Sequence, residues 1–369
     1  MKTASIITLH SPLNYGAVLQ AYALQTYIKS IGVGCNIIDY NPHYIVYDQS
    51  LMYVGDSRFK KTVLTRWLYR IFKYPAKYSR LKKFSSFKKK ELNLTSRFET
   101  YDEIKDANLQ ADYFFCGSDQ IWNTISGTHK DPAFFLQFVK DKCKRNSYAA
   151  SGNLPLDNED VKNIAVPMIN DFSHISMRED VTIGSIQSYV NKEIIHVCDP
   201  VFLLDSNSWR YLYKKNSKFV KQEKYVLIYP MGDGIEIVIQ KGSELARKLG
   251  LPLYCISASQ RKDKRISKMF NVDPYAFLSL IDNADYIITN SFHGTSFSII
   301  FKKMFWSCIA VGSNQRLVSL LNKCDLSNRM ISVETIIDEK EYVVYDSYNN
   351  HLNEFIDTSK QFIKRIIEK

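Results

Sequence analysis

The stretch "ADYIITNSFHGTSFSIIF", Ala284 to Phe301, decides the fold. Its first six residues hold the short apolar run Tyr286–Ile288, which predicts a buried strand. Its last six, "SFSIIF", predict the start of a buried helix. Between them Asn290, Ser291, His293, Gly294 and Thr295 set small polar groups and one imidazole at the joint. A parallel strand that passes into a helix through a polar loop is the repeating unit of a doubly wound α/β sheet. Ligand-binding groups gather at that joint.

Working outward, the same pattern recurs. Strands are predicted at Ser5–Leu9, Asn36–Asp39, Tyr113–Cys116, Asn146–Ala150, Ile175–Met177, His196–Asp199, Tyr225–Tyr229, Leu253–Ser257 and Tyr286–Thr289. Helical spacing is predicted over Ala17–Ser30, Ile235–Leu249 and Tyr275–Asp282. A chain of 369 residues suits two domains better than one core. The expected fold class is therefore α/β, with two Rossmann-like domains facing across a cleft. The polar "KKNSKFVKQEK" after "DPVFLLDSNSWR" puts the boundary near residue 206. Residues 1–206 form the first domain, 207–345 the second, and 346–369 a terminal helix packing back on the body.

Composition narrows the class. Hydrophobic residues make up 45% and charged residues 24%, as in ordinary globular proteins. Seven cysteines are scattered singly, and their odd number fits reduced thiols. "MKTASIITLHSPLNYG" reads as a first strand, not a signal peptide. No stretch approaches the roughly 18 apolar residues of a spanning helix. A cytoplasmic protein is expected. The net charge is +11, yet the segment Ser57–Lys90 alone holds thirteen Lys or Arg and no Asp or Glu. The remainder is balanced, which argues against a nucleic-acid partner.

Five segments can carry chemistry. In "NYGAVLQAYALQ", Asn14, Tyr15 and Gly16 open a helix after the first strand, where doubly wound folds bind anions; a plain tight turn is the alternative. In "FFCGSDQIWN", Ser118, Asp119 and Gln120 leave a strand's carboxyl end; a helix cap is the alternative. In "ISMRED", Arg178 offers a planar fork suited to carboxylate or phosphate; a surface ion pair is the alternative. In the opening stretch, His293 among hydroxyls reads equally as a phosphate ligand or proton carrier and as a buried cap. In "VLTRWLYRIFKY", Val63 to Tyr74, aromatic and cationic faces alternate at helical spacing. That suits an anionic membrane surface, or packing of the aromatic stripe on its own domain. No P-loop, no Asp-x-Asp and no metal-ligand spacing among the seven histidines is present, so neither metal nor cofactor is expected.

Taken in order, "NYGAVLQAYALQ", "CGSDQIWN", "SMRED", "DPVFLLD" and "TNSFHGTSFSIIF" resemble the polysaccharide pyruvyl transferase family. The resemblance spans about residues 3 to 325 of the chain. It implies a GT-B-like architecture, phosphoenolpyruvate as donor, and a sugar acceptor that becomes a pyruvate ketal. It matches His293 to the family's histidine and Arg178 to its S-x-R arginine. The family often has an arginine where this chain has Ser291, and Arg316 is the candidate replacement. On this reading His293 is catalytic. Arg178, Ser291, Phe292, Gly294, Thr295 and Arg316 bind the donor, while Asn14, Tyr15, Gly16, Ser118, Asp119 and Gln120 bind the acceptor. The acceptor is a sugar, lipid-linked or free, and the basic segment offers peripheral contact with an anionic membrane at the inner face. A metal-independent glycosyltransferase using a nucleotide sugar, and a non-catalytic polysaccharide-assembly protein, are the competing readings.

Overall fold

A computed structural model describes the chain except residues 52, 55–60, 218–222, 233, 258–262, 310–314, 342, 344 and 369, and the side chains of 48 and 346–349. Two compact units are present: Met1–Pro200 with Phe362–Lys369, and Val201–Gln361.

The first unit holds Thr3–Ile7 (β1), Gly34–Tyr40 (β2), Leu94–Phe98 (β3), Tyr113–Cys116 (β4) and Arg145–Ser147 (β5). All are parallel, in the order β3-β2-β1-β4-β5. Ile175–Met177 (β6) and Ile194–His196 (β7) pair in parallel with each other. Parallel bridges Asn146↔His174 and Ala150↔Met177 carry the ladder from β5 toward them. Trp122 stacks on Phe135 at 5.3 Å and meets Phe172 edge-on at 5.6 Å in the core beneath.

In the second unit Val226–Tyr229 (β8), Leu253–Ile256 (β9), Lys268–Phe270 (β10), Tyr286–Thr289 (β11), Met304–Cys308 (β12) and Met330–Ile331 (β13) form one sheet. Its order is β10-β9-β8-β11-β12-β13, again all parallel. Renumbered from one, that is 3-2-1-4-5-6, the doubly wound dinucleotide-fold order. The α/β class expected from the sequence is the observed one.

Four strands escape the pattern reading: β3, β10, β12 and β13. β3 and β10 lie at sheet edges, where one side needs no apolar cover, and "LTSRF" is accordingly mixed in polarity. β12 follows its helix through Lys302 at φ 53°, a turn too short to show as punctuation. Several predicted strands also shift by a few residues: the first begins at Thr3, not Ser5, and the sixth at Ile194, not His196.

The loops at the carboxyl ends of the first sheet are held tightly. Trp122 N–H donates to Ser151 O at 3.0 Å and Ser151 N–H to Asp119 O at 3.2 Å, so the loops after β4 and β5 run side by side. Gly152 makes this possible, since a Cβ there would stand 1.8 Å from Trp122 O. Gly184, by contrast, is an exposed residue of the Asp180–Ile186 helix with nothing near its missing Cβ. Gly152→Ala should destabilise the protein by about 1–3 kcal/mol by overpacking. Gly184→Ala should stabilise it by about 0.5–1 kcal/mol through helix propensity. Urea denaturation of the two variants checks both signs.

Candidate functional site

Strand order reverses between β1 and β4 in the first unit and between β8 and β11 in the second, which are the switch points where doubly wound folds bind ligands. The quoted motifs leave their sheets at these two places. "CGSDQ" follows β4, and "NSFHGT" follows β11.

In the first unit, Gln20 clamps the switch point from the Tyr15–Ser30 helix. Its Nε2 donates to Thr8 Oγ1 at 2.8 Å, and its Oε1 accepts from Ser118 N at 3.3 Å. Thr8 Oγ1 donates in turn to Ser118 O at 3.2 Å. Asp119 follows at φ 63°, a left-handed backbone that a non-glycine residue adopts only when its surroundings impose it. Its Oδ1 accepts from Gln120 N at 2.9 Å. Asp119 and Gln120 are half-buried, while Ser118 is fully buried.

Arg178 departs from the expectation. The guanidinium predicted at a cleft edge is only 4% exposed. Nε donates to Glu179 Oε1 at 2.9 Å, Nη1 to Asp199 Oδ2 at 2.6 Å and Nη2 to Ser151 Oγ at 2.8 Å. Ser151 Oγ donates to Glu179 Oε1 at 2.7 Å, and Ser118 Oγ to Asp199 Oδ2 at 3.2 Å. Burial pulls the Arg178 pKa down, but Glu179, Asp199 and Asp119 together hold it above the ordinary arginine value. The fork that suits a ligand carboxylate is here turned on the protein's own carboxylates.

The three acceptor-side residues that open the first helix are also engaged within the unit, Tyr15 and Gly16 buried and Asn14 half-buried. Asn14 caps the first helix, its Oδ1 accepting from Gly16 N at 2.8 Å and Ala17 N at 3.4 Å. Tyr15 is buried against Phe84 at 5.1 Å, under the Arg80 guanidinium 5.2 Å from its ring. Gly16 is buried in the same turn.

In the second unit, Asn290 clamps the switch point as Gln20 does in the first. Its Oδ1 accepts from Met231 N and its Nδ2 donates to Met231 O, each at 2.7 Å. Thr289 Oγ1 donates to Tyr229 O at 2.6 Å and accepts from Ser291 N at 3.0 Å. Ser291, not His293, caps the Phe292–Ile300 helix: Gly294 N donates to its Oγ at 3.3 Å, and Thr295 N to its carbonyl at 2.9 Å. The N–H groups of Gly294 and Thr295, expected in a donor cradle, are therefore engaged within the cap. Thr295 Oγ1 is hydrogen-bonded with Ser307 Oγ at 2.7 Å. His293 lies in the helix's first turn, 7% exposed, with the Phe292 ring edge-on at 5.2 Å. A Cβ on Gly294 would stand 2.7 Å from Thr289 Oγ1 and 3.0 Å from the Tyr229 ring, so the helix can start this close to the sheet only with glycine there. Arg316 is half-buried at the start of the Gln315–Lys323 helix; the residues just before it in the predicted "GSNQR" lie outside those described.

Sequence reasoning missed Gln20, the clamping role of Asn290 and a dyad at the end of β1. His10 is fully buried, with Nδ1 3.1 Å from Thr8 O and Nε2 2.8 Å from Asp39 Oδ1. Burial pushes the Asp39 pKa up, yet His10, Asn41 and Lys88 hold it below the usual carboxylate range. Burial lowers the Lys88 pKa beside it. The available signal for Gln20 was a polar amide inside the apolar face of "AVLQAYALQ".

Among the described residues, no three His, Cys, Asp or Glu are placed to hold a metal ion, and no helix is long and apolar enough to cross a membrane. A surface hollow of about 670 Å³ includes Ser173, His174, Lys192 and Arg365, at the amino ends of β6 and β7. Ligands of such sheets bind at the carboxyl ends, so the hollow is not the candidate site.

Fold and site thus define a two-unit, Rossmann-type α/β protein with a polar loop cluster at each switch point. The chain belongs to the polysaccharide pyruvyl transferase family, whose model matches residues 14–313. No curated protein matches it. Among solved structures, the UDP-GlcNAc 2-epimerase of Methanocaldococcus jannaschii aligns at TM-score 0.51 and 11% identity, covering 100% of this chain and 99% of that one. The UDP-GlcNAc 2-epimerase of Neisseria meningitidis, bound to UDP-GlcNAc, aligns at 0.47 and 10%, with the same coverage. A glycosyltransferase of Streptomyces sp. SF2575, complexed with thymidine diphosphate, aligns at 0.46 and 12%, again covering 100% and 99%. At such identities the first of these shows the shared fold alone.

Removing the Arg178 cation would leave Glu179 and Asp199 buried without compensation. Arg178→Met should cost about 3–5 kcal/mol in chemical denaturation. Arg178→Lys should recover little, because an ammonium cannot reach three partners in one plane. A loss below about 0.5 kcal/mol, the range of an ordinary surface residue, would show that the network does not hold the fold.

Proposed function

We propose that the protein transfers pyruvate from phosphoenolpyruvate to two hydroxyls of a surface-polysaccharide sugar or its precursor, forming a pyruvate ketal. The observation that carries the reading is His293. It is an ionisable group in the first turn of a helix, at the switch point of the second sheet, ringed by Ser291, Gly294 and Thr295. Family membership supplies the reaction class. The second unit is assigned the donor side and the first unit the acceptor side.

The chemistry asks for a cation near the donor's phosphate and carboxylate, and for one proton carrier. With Arg178 committed to Glu179 and Asp199, Arg316 takes the anionic donor, helped by the positive end of the Phe292–Ile300 helix. His293 delivers a proton to the methylene carbon of phosphoenolpyruvate, which becomes a methyl group as positive charge develops at C2. A sugar hydroxyl attacks C2 and gives up its proton. A second hydroxyl then displaces phosphate, which leaves with that hydroxyl's proton. The products are the cyclic ketal and inorganic phosphate. Asp119 and Gln120, half-buried on a left-handed turn, are the acceptor contacts that remain open to solvent. The sugar is carried on a lipid at the inner face of the cytoplasmic membrane, where the basic Val63–Glu91 helix holds the enzyme.

Thermal denaturation with phosphoenolpyruvate, UDP sugars and GDP sugars tests the donor. At a hundred times its Kd, phosphoenolpyruvate should add about 2.7 kcal/mol. Stabilisation by a nucleotide sugar alone would transfer the site to a glycosyltransferase, and none by any ligand to a non-catalytic protein. His293→Ala should slow turnover about 10²–10⁴-fold while donor-induced stabilisation persists. A loss within about threefold would remove His293 from proton transfer.

A further inference from the structure

The Val63–Glu91 helix is amphipathic in the wrong direction for a protein in water. Thr62 and Thr65 form its capping box, and of its 29 residues only Phe84 and Phe87 are buried. At 3.6 residues per turn, Val63, Leu64, Trp67, Leu68, Ile71, Phe72, Tyr74 and Tyr78 cover about half the circumference. That half faces solvent: Leu64 is 69% exposed, Trp67 60%, Ile71 54% and Phe72 75%. The cationic side of the second half faces the protein. Lys77 Nζ donates to Tyr53 O at 2.8 Å, Arg80 Nη2 to Leu13 O at 2.6 Å and Lys88 Nζ to Ser11 O at 3.3 Å. The sequence alternative, in which the aromatic stripe packs on its own domain, is not what the helix does. Residues 57–60 of the basic segment lie outside those described.

A contiguous apolar face of this kind marks a docking surface. Its charge selects the occupant. With thirteen cations and no carboxylate over Ser57–Lys90, a second copy of the same face would be repelled. Nucleic acid would use the cations but leave the aliphatic and aromatic side chains wet. An anionic bilayer takes both, the side chains at the acyl boundary and the cations at the headgroups.

The second half of the helix adds what a simple anchor would lack. Ser11 and Leu13, which Lys88 and Arg80 grip, belong to the loop that leaves β1 at the first switch point. Arg80 also donates to Tyr15 Oη at 3.4 Å and lies 5.0 Å over the Phe84 ring. We propose that residues 63–78 lie in the interface of an anionic phospholipid bilayer. The Arg80 and Lys88 contacts then hold the loop Thr8–Asn14 at the headgroup surface, so that lipid docking orders the acceptor-side loop. The docking stands on this helix alone. That the loop is the acceptor side rests on the reading given above.

Trp67 reports on the docking by itself, because the other three tryptophans, Trp122, Trp209 and Trp306, are at most 2% exposed. Tryptophan emission of the full chain is measured with phosphatidylcholine vesicles, with and without 30% phosphatidylglycerol. We expect a blue shift on the anionic vesicles that salt reverses. Leu64→Ser/Phe72→Ser, both at exposed positions, should lower the vesicle partition coefficient about tenfold or more. Arg66→Gln should lower it about fivefold. Amide exchange across Leu9–Tyr15 should slow about threefold or more on docking. No shift on anionic vesicles, an equal shift without phosphatidylglycerol, a doubled mass in the absence of lipid, or a response to duplex DNA in its place each overturn the docking. Unchanged exchange at Leu9–Tyr15 overturns the coupling. No substrate enters these measurements, so they succeed or fail independently of whether phosphoenolpyruvate is the donor.

Discussion

The buried Arg178 guanidinium is the interaction on which the first unit's ligand-facing loops depend. It comes off the end of β6 beside its partner Glu179, yet its other partners lie after β5 and β7, and Ser118 after β4 joins through Asp199. One cation therefore ties four loops into a single body. A guanidinium does this because its donors are planar and fixed, so each partner is held in direction as well as distance. Desolvating these charges is costly, and only the completed set of hydrogen bonds offsets it. The left-handed turn at Asp119 is anchored to this network on one side, where Ser118 Oγ donates to Asp199, and Asp119 O itself accepts from Ser151 N–H.

The second unit holds its switch point with an amide clamp. At both switch points two parallel strands end side by side, and the chain turns away from the sheet through a polar loop. Gln20 closes one such end and Asn290 the other, each with a single amide that donates and accepts. Both amides satisfy backbone that would otherwise be stranded, since buried polar groups are tolerated only when paired. The difference lies in what stands beside the clamp. In the first unit it is a closed carboxylate–guanidinium cluster, and in the second an imidazole in the first turn of a helix capped by Ser291.

The basic helix has an inverted distribution of polarity. Helices of water-soluble proteins turn apolar residues inward; the first half of this one turns them out, while Arg80 and Lys88 of its second half donate to the main-chain carbonyls of Leu13 and Ser11. The carbonyls are fixed acceptors, so the orientation of the apolar face follows from them.

The sequence by itself determined the α/β class, nine of the thirteen strands among the described residues to within a few positions, the helical spacing of the basic segment and the placement of "CGSDQ" and "NSFHGT" at strand ends. It could do so because apolar runs and helical spacing are local, and a strand covered on both faces must be apolar throughout. Only the tertiary structure decided what the polar residues do. Arg178 read as a ligand-binding fork, and the fold instead gives it Glu179, Asp199 and Ser151. Tyr15 and Gly16 read as acceptor contacts, and the Arg80–Phe84 region of a helix some seventy residues later buries Tyr15. Gly294 and Thr295 read as a donor cradle, and Ser291 takes their N–H groups. In each case the deciding partner is either far away in sequence or one of several equally good local ones. A hydrogen-bonding side chain carries no mark of which partner it will meet, whereas an apolar side chain needs only to be covered.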